Sequence, residues 1–463
     1  MQPAVIGALG IAALFTLILL QVPIGFAMIT VGVVGFALQG GWLPAFSFLA
    51  QEPSYVLSST DLAAVPLFLM MGVFASMAGF SEDVYRAAAA FLGHRRGGLA
   101  YATIGGSAAF GAICGSSTAT AATFGKVALP QMLDRGYSPA FSTGVIAAGG
   151  TLKSLIPPSL VMIIYCVVAK TFILDMFVAA IVPALMTIAF NLIAIAIAVW
   201  RRPQIAPVSE RLSWRERWTA TRRAAPSLVL LLGVFIGIYS GIFTVNEAAS
   251  AAAVLALLFA LARRRLSWKT LVHGMYEAAS AAAILALLFA LARRRISWSS
   301  LVRGMYEAAS VTAMLYLILM AAPIFTYFIN LAHVPEALVQ WIEGHHFPPL
   351  GVIFTLTCVY ILLGTFFEEM SSILITLPLI LPIIVSLGYD PLWWGVICLI
   401  QVEMALIHPP MGIIVFLLHA IAPKIPMSTI YRGVVPFLIA DFAVLIILIL
   451  LPGIVLWLPH AWH

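Results

Sequence analysis

Long runs of apolar residues, separated by short polar connections, follow one another along almost the whole chain. A helix needs about 20 apolar residues to cross the hydrocarbon core of a bilayer. The candidate runs are residues 4–20, 22–38, 63–80, 160–200 (expected to hold two helices), 226–243, 310–331, 347–365, 392–406 and 434–457. The pattern therefore predicts an all-α polytopic membrane protein.

Shorter apolar pieces, interrupted by Gly, Pro and Ser, lie between these runs. They occupy residues 100–114, 117–133, 140–156, 371–387 and 410–422. Pieces of this kind are too short to cross the membrane simply, and they predict re-entrant hairpins and broken helices. Irregular backbone is tolerated at membrane depth only where protein buries it or where it lines a cavity. We therefore expect the functional site among these shorter pieces.

The composition agrees with a bilayer as the solvent. Hydrophobic residues make up 63% of the 463 residues and charged residues only 9%, whereas soluble domains carry about 45–50% and about 25%. The formal net charge of +6 comes from cations in short clusters, notably at 94–96 and 201–225. By the positive-inside rule both clusters are expected in cytoplasmic loops. This arrangement marks topology, and no nucleic-acid partner is expected.

A long-range repeat divides the chain into two halves. The motifs L-P, G-Y-x-P and P-P occur in this order at 129–158 and again at 381–410, always separated by 252 residues (for example, 388 minus 136). Secondary transporters are often built from two such halves, and paired Gly/Pro interruptions in them point to the binding site. Proline lacks an amide donor and breaks a helix. The predicted helix-breaking residues are Pro157, Pro158, Pro409 and Pro410.

A second repeat is local. Residues 251–280 and 281–310 are identical at 25 of 30 positions, and each unit contains three consecutive arginines. Such high identity indicates a recent tandem duplication. Both arginine triplets prefer the cytoplasm, and one extra crossing would reverse every later span. Our hypothesis is that the extra unit adds no net crossing.

Small hydroxyl residues and an isolated lysine are the candidate chemical groups of the first half. The run 115–125 is rich in Ser and Thr. Where a broken helix turns, free N–H groups hold a carboxylate, and hydroxyl and carbonyl oxygens suit Na⁺; small-residue helix packing is the alternative. Lys153 either pairs with an anionic substrate or extends to the interface.

The second half offers carboxylates. Glu403 stands opposite Thr151 in the repeat, and it either orients a broken helix by accepting backbone N–H bonds or acts as an ion ligand. Glu368 and Glu369 either line the cavity or cap a helix at the surface. From both halves together, the predicted substrate-binding residues are Ser117, Thr118, Lys153 and Ser371. No residue is expected to be catalytic.

Five ordered segments resemble one known family. They read GSSTATAATFGKVALPQM, GGTLKSLIPPS, GIFTVNEAAS, ILITLPLILP and EMALIHPPMG, and they extend over nearly the whole chain. Together they resemble the large membrane subunit of TRAP transporters, the DctM or SiaM type of the ion transporter superfamily. The resemblance implies an elevator transporter with two inverted repeats, each holding a re-entrant helical hairpin and a broken helix.

The resemblance also implies coupling to sodium, with two or more Na⁺ ions. By motif position, the residues expected to hold sodium are Ser116, Ser117, Gly150, Leu152, Gly364, Thr365 and Glu403. The implied partners are a small DctQ-type membrane subunit, a periplasmic substrate-binding protein, the lipid bilayer and a small carboxylate substrate. The implied location is the bacterial cytoplasmic (inner) membrane. Two features depart from the family pattern, which usually has Gly where Lys153 stands and lacks the duplication.

The expected organisation alternates scaffold and transport segments. Residues 1–90 are predicted to form N-terminal scaffold spans, and residues 91–185 the first transport repeat. Residues 186–345 are predicted as scaffold spans that include the basic loop 201–225 and the duplication 251–310. Residues 346–425 then form the second transport repeat, and 426–463 the last scaffold span.

Three other functions compete with this interpretation. A self-sufficient sodium/anion symporter would need neither the small subunit nor the binding protein. An intramembrane hydrolase would need a paired nucleophile and base at depth, and neither a nucleophile elbow nor an HExxH motif occurs. A channel is less consistent with repeated broken helices than alternating access is.

The duplication hypothesis predicts that both arginine triplets face the same side of the membrane. Single cysteines placed by Arg265→Cys and Arg295→Cys should react with a membrane-impermeant maleimide only after the cytoplasmic face is opened. Reaction of the two cysteines from opposite sides would contradict the hypothesis.

Overall fold

The computed structural model describes residues 3–208, 211–262 and 316–462, and these residues form helices and their connections without any strand. The helices are α1 Pro3–Leu19, α2 Ile24–Gly40, α3 Trp42–Ser58, α4 Thr60–Met77, α5 Phe80–Leu92, α6 Gly98–Cys114, α7 Ser117–Asp134, α8 Pro139–Thr151, α9 Leu160–Ala169, α10 Ile173–Arg201, α11 Trp214–Tyr239, α12 Val245–Ala262, α13 Tyr316–Leu331, α14 Val334–Gly344, α15 Pro349–Phe366, α16 Glu369–Ser386, α17 Pro391–Ala405, α18 Ile413–Ile421, α19 Met427–Leu450 and α20 Gly453–Trp462. Most of the duplication, and with it the crossing hypothesis, lies outside these ranges.

The apolar runs predict most of these helices. Within the described ranges, α10, α11, α15, α16 and α19 are long and apolar enough to cross a membrane. The run 160–200 does hold two helices, but the first, α9, has only ten residues. It continues the path of α8, since the segments Pro139–Leu155 and Leu160–Ala169 together are apolar enough for one span and meet at a bend of 41°. The chain therefore forms a multi-pass helical membrane protein.

The second half of the predicted basic loop 201–225 is helical. Helix α11 begins at Trp214 because the Ser213 side chain accepts a hydrogen bond from the Glu216 N–H while the Glu216 carboxylate accepts one from the Ser213 N–H. This reciprocal cap satisfies amide donors that a helix start leaves unpaired. Residues 214–225 of the predicted basic loop thus belong to α11, and the S-x-x-E pattern at its start was visible in the sequence.

Prolines also move two predicted boundaries. The run 434–457 is divided, because α19 ends at Leu450 just before Pro452 and α20 begins at Gly453. The run 392–406 is not a complete span. It is α17, which ends at Ala405 ahead of Pro409 and Pro410 and is followed by the short helix α18.

The helices repeat with the separation found in the sequence. Helix α16 begins and ends 252 residues after α7 (369 minus 117, and 386 minus 134). The paired helices α6 and α15, α8 and α17, α9 and α18, and α10 and α19 agree with this separation to within a few residues at each end. Both the Pro157–Pro158 and the Pro409–Pro410 peptide bonds are cis. Each half thus contains two consecutive helices joined by a two-residue connection, followed by a helix interrupted at a proline pair.

Basic residues from two connections meet on one side of the bundle. The Arg217 guanidinium lies over the Phe91 ring, 5.9 Å from its centroid. Partial burial, followed by the positive charges of Arg217 and Arg211, lowers the pKa of His94. His94, Arg211 and Arg217 therefore lie on one side of the bundle, as the positive-inside rule requires if both basic clusters are cytoplasmic.

Glycine residues allow α8 and α19 to pack backbone against backbone. A Cβ atom added at Gly144 would lie 2.0 Å from the Gly433 carbonyl oxygen, and one added at Gly433 would lie 1.8 Å from the Ala140 carbonyl oxygen. Small residues permit such close approach between membrane helices. The contact joins the broken helix of the first half to the long helix that ends the second half.

Gly433→Ala should therefore destabilise the protein by about 3 kcal/mol, the upper part of the usual range for overpacking. The measurement is thermal unfolding of the purified protein in detergent. Gly105→Ala in α6 is the matched control, because nothing lies within 4 Å of a Cβ atom there. Equal melting temperatures for the two variants would contradict the close packing.

Candidate functional site

The first hairpin turns within two residues. Helix α6 ends at Cys114, Gly115 adopts a left-handed conformation with φ of 68°, and α7 begins at Ser117. Ser116 caps α7, since its Oγ accepts a hydrogen bond from the Ala119 N–H at 3.3 Å. The small residues predicted at the tip thus produce a sharp turn whose following helix begins with a buried serine, Ser117.

A glycine in each half lets the hairpin and the broken helix approach closely. A Cβ atom at Gly150 of α8 would lie 2.9 Å from the Ala121 Cβ and 3.3 Å from the Ser117 carbonyl oxygen. A Cβ atom at Gly364 of α15 would lie 2.6 Å from the Ala405 Cβ of α17. The predicted sodium residues Gly150 and Gly364 therefore stand where main chains of different elements are adjacent.

The proline pairs interrupt the helices beside these glycines. After α8 the chain forms a 3-10 turn, Leu152–Leu155, before Pro157 and Pro158. Proline offers no N–H to the carbonyls of the preceding turn, so part of this backbone lacks its helical partners. In the second half, the Leu406 carbonyl accepts a bond from the Ile414 N–H across the break, at 3.0 Å.

A buried ion pair joins the two halves at these breaks. Lys153, in the 3-10 turn, has no exposed surface. Its Nζ lies 3.0 Å from Glu369 Oε1 and 4.0 Å from Glu403 Oε1. Glu369 begins the second arm of the second hairpin, and Glu403 lies near the end of α17. The lysine of one half is thus held by two buried carboxylates of the other.

Two serine hydroxyls complete this cluster. Ser117 Oγ is 2.7 Å and 2.9 Å from the two carboxylate oxygens of Glu403. Ser154 Oγ donates to Glu403 and also lies 3.4 Å from Glu369 Oε2. Charges removed from water are tolerated only when they are paired and hydrogen-bonded. We call Ser117, Lys153, Ser154, Glu369 and Glu403 the inter-repeat cluster.

The other predicted site residues lie around this cluster. Thr118 is exposed at the hairpin tip, and its Oγ1 is 3.2 Å from Ser116 Oγ. Ser371 is buried with its Oγ 3.5 Å from Glu368 Oε2. Thr365 donates to the Leu362 carbonyl of its own helix at 2.6 Å. Of the predicted side chains, the structure thus brings Ser117, Lys153 and Glu403 into direct contact.

Sequence reasoning missed Ser154 and left the role of Glu369 open between a cavity lining and a surface cap. The structure buries Glu369 in the inter-repeat cluster. The repeat carried a usable signal, because a separation of 252 pairs Ser117 with Glu369 as the first residue of equivalent helices. Ser154 offered no comparable signal beyond its position next to Lys153.

The oxygen-rich backbone suits a hard monovalent cation in part of this region. The Ser117 carbonyl oxygen of α7 lies close to Gly150 of α8, two residues before the 3-10 turn that begins at Leu152. At Glu403 the chemistry differs, because the cation that faces its carboxylate is the Lys153 ammonium. Within the described ranges, no group of three or more His, Cys, Asp and Glu residues is arranged to hold a metal ion.

Comparison with known proteins gives one consistent family. The chain matches the family described as "Tripartite ATP-independent periplasmic transporter, DctM component" over residues 11–293 and again over 273–454. The two matches overlap at residues 273–293, which span the junction between the two units of the tandem repeat. An inserted copy of an ordinary family segment would produce such an overlap.

Curated relatives agree with this match, and a solved structure shares the fold. The chain is 30% identical over 404 residues to the C4-dicarboxylate TRAP transporter large permease protein DctM of Pseudomonas aeruginosa, covering 86% of both chains. It is 27% identical over 439 residues to the sialic acid TRAP transporter large permease protein SiaM of Vibrio cholerae, covering 95% of both. Its fold resembles the YdaH transporter of Alcanivorax borkumensis with a TM-score of 0.57 at 12% identity, over 100% of this chain and 99% of that one.

The inter-repeat cluster predicts a strong effect of removing its cation. Lys153→Met should destabilise the protein in sodium-free buffer by about 3 kcal/mol or more, because it leaves two buried carboxylates without their ammonium. Adding Glu369→Gln to Lys153→Met should recover part of this loss, since one of the unpaired charges disappears. The control is Lys126→Met on the exposed side of α7, expected to shift stability by about 0.5 kcal/mol or less. Thermal unfolding of these four proteins and of the single variant Glu369→Gln provides the comparison, and additive effects of the two cluster substitutions would contradict the pairing.

Proposed function

Because this chain belongs to the family of the DctM component of tripartite ATP-independent periplasmic transporters, we propose that it is the large transmembrane subunit of a sodium-coupled, binding-protein-dependent importer. The proposed substrate is an organic anion such as a dicarboxylate or an acidic sugar. The observation that carries the proposal is the buried inter-repeat cluster, which lies where the hairpin of one half meets the broken helix of the other. Broken helices at a repeat interface are the usual binding site of secondary transporters.

We propose that the two hairpins and the two broken helices move as one body. The Lys153–Glu369 pair and the Ser117–Glu403 hydrogen bonds support this, because each joins elements of different halves. Separating them in the membrane interior would leave charges without partners, which is costly. An elevator movement, in which the whole site travels against a scaffold, keeps these contacts intact. Both hairpins are then re-entrant, with their tips at membrane depth.

Sodium in this proposal is held mainly by main-chain oxygen. The first site would use residues around Ser116, Ser117, Gly150 and Leu152. The second would use the region of Gly364 and Thr365 and the main chain near Glu403, whose carboxylate already faces the Lys153 ammonium. Bound sodium would supply positive charge that attracts the carboxylate of the substrate. Substrate contacts are proposed at Ser117, Thr118 and Ser371 and at Lys153, whose ammonium would act on the substrate by its charge, since Glu369 already binds it.

The proposed partners and location follow the family. A small DctQ-type membrane subunit would enlarge the scaffold, and a periplasmic protein would deliver the substrate to the chain in the bacterial inner membrane. The multi-pass helices and the apolar surface agree with this location, as exposed side chains such as Leu185, Ile439 and Trp200 suit contact with lipid or with another membrane subunit.

The decisive experiment is uptake of a radiolabelled organic-acid panel into proteoliposomes that contain this chain with its small subunit. Uptake should require both an inward sodium gradient and the cognate binding protein on the outside. Sodium-dependent uptake without the binding protein would favour a self-sufficient symporter. Absence of uptake under every condition would contradict the proposed function.

A matched pair of glycine variants tests the sodium assignment in the same vesicles. Gly150→Ala should weaken the apparent sodium affinity about tenfold, equivalent to about 1.4 kcal/mol, because the new Cβ would push α8 away from the Ser117 carbonyl. Gly105→Ala, which meets no atom within 4 Å, should leave the sodium dependence unchanged. The same affinity in both variants would argue against a site between Gly150 and Ser117.

A further inference from the structure

The Lys153 side chain is held at both of its ends. Its Cβ packs against α6, since a Cβ atom added at Gly111 would lie 3.0 Å from it. Its ammonium is fully buried 3.0 Å from Glu369 and 4.0 Å from Glu403. A lysine that extends to the interface keeps its charged end in water, and this one does not. The positive charge is therefore a permanent part of the protein interior.

Acidic groups surround this ammonium. Two carboxylates of the second half face it, and the Ser117 and Ser154 hydroxyls donate to the same carboxylates. Buried carboxylates at this depth need a compensating positive charge. A mobile ion could supply the charge only when its concentration is sufficient, whereas the tethered ammonium supplies it at all times.

We propose that Lys153 is a built-in counter-ion that occupies a cation position between the two halves, in place of one mobile sodium ion. This inference rests on the proposed transport function and specifies its ion coupling. The contact between the halves then persists without sodium, and the chain binds one sodium ion fewer than it would with a small neutral residue at position 153. Sodium remains assigned to the main-chain oxygen sites near Gly150 and Gly364.

Removing the Lys153 ammonium while keeping both carboxylates tests whether a sodium ion can take its place. Lys153→Ala keeps the Cβ contact with α6 and opens space beside Glu369 and Glu403. In the purified assembly with the small subunit, equilibrium binding of ²²Na⁺ should rise by one ion per chain relative to wild type. The melting temperature of this variant should also rise with NaCl more steeply than that of wild type, measured against choline chloride at equal ionic strength.

Matched variants separate charge from packing. Lys153→Arg retains the positive charge and should bind no additional sodium. Lys153→Ala combined with Glu369→Gln removes one positive and one negative charge together, and it should also bind no additional ion. An extra sodium ion in either variant would contradict the counter-ion role.

A free amine provides a second measurement. Ethylammonium should raise the melting temperature of Lys153→Ala by filling the vacated position, and it should have no comparable effect on wild type or on Lys126→Ala. If Lys153→Ala cannot be recovered even with sodium or ethylammonium present throughout purification, the position does not accept a free cation and the inference is wrong. An unchanged sodium count in Lys153→Ala would also overturn it.

The outcomes for the ion position and for the proposed function are distinct. Wild-type proteoliposomes that take up no organic acid would contradict the proposed function, while the sodium counts in detergent would still decide the role of Lys153. Sodium- and binding-protein-dependent uptake with an unchanged count in Lys153→Ala would support the function and contradict the inference.

Discussion

The ion pair between Lys153 and Glu369 is the interaction on which the arrangement of the two halves depends. The interior of a membrane protein offers no water to solvate either charge, so each is stable there only beside the other. Lys153 lies on the broken turn of the first half and Glu369 on the hairpin of the second, 216 residues away. The pair therefore fixes how the two halves meet, and the serine hydroxyls around Glu403 reinforce the same junction.

The broken helices make this junction possible. A continuous helix satisfies its own amides and carbonyls and presents only side chains to its neighbours. The proline pairs interrupt that pattern, and the 3-10 turn before Pro157 directs Lys153 and Ser154 towards the second half. Glycines at 150 and 364 then let hairpin and broken helix approach main chain to main chain. The irregular backbone of the first break, residues 152–159, is buried by protein except for the partly buried Ile156, whereas Pro409, Pro410 and Met411 of the second break are exposed.

The same junction unites the proposed functions of the site. A cluster that links all four interrupted elements would hold them together as one moving body, and its fixed ammonium would keep that body intact when sodium is absent. In the proposed sodium site near Gly150, main-chain carbonyl oxygens would bind and release the mobile ion. In this proposal the Lys153 ammonium maintains the structure of the site, and the mobile sodium ions control whether substrate binds there.

The sequence by itself determined the helical membrane class, the separation of 252 residues and the positions of the helix breaks. These follow from local rules, since apolar length decides a span and proline decides an interruption. The local pattern S-x-x-E also contained the capping box at Ser213, although the basic composition of this segment gave no sign of a helix start. Only the tertiary structure decided that Lys153 binds Glu369 and that Ser154 and Ser117 share Glu403. Those contacts join residues from different halves. The sequence shows that a charge in an apolar segment needs a partner, but only the folded chain determines which residue lies beside it.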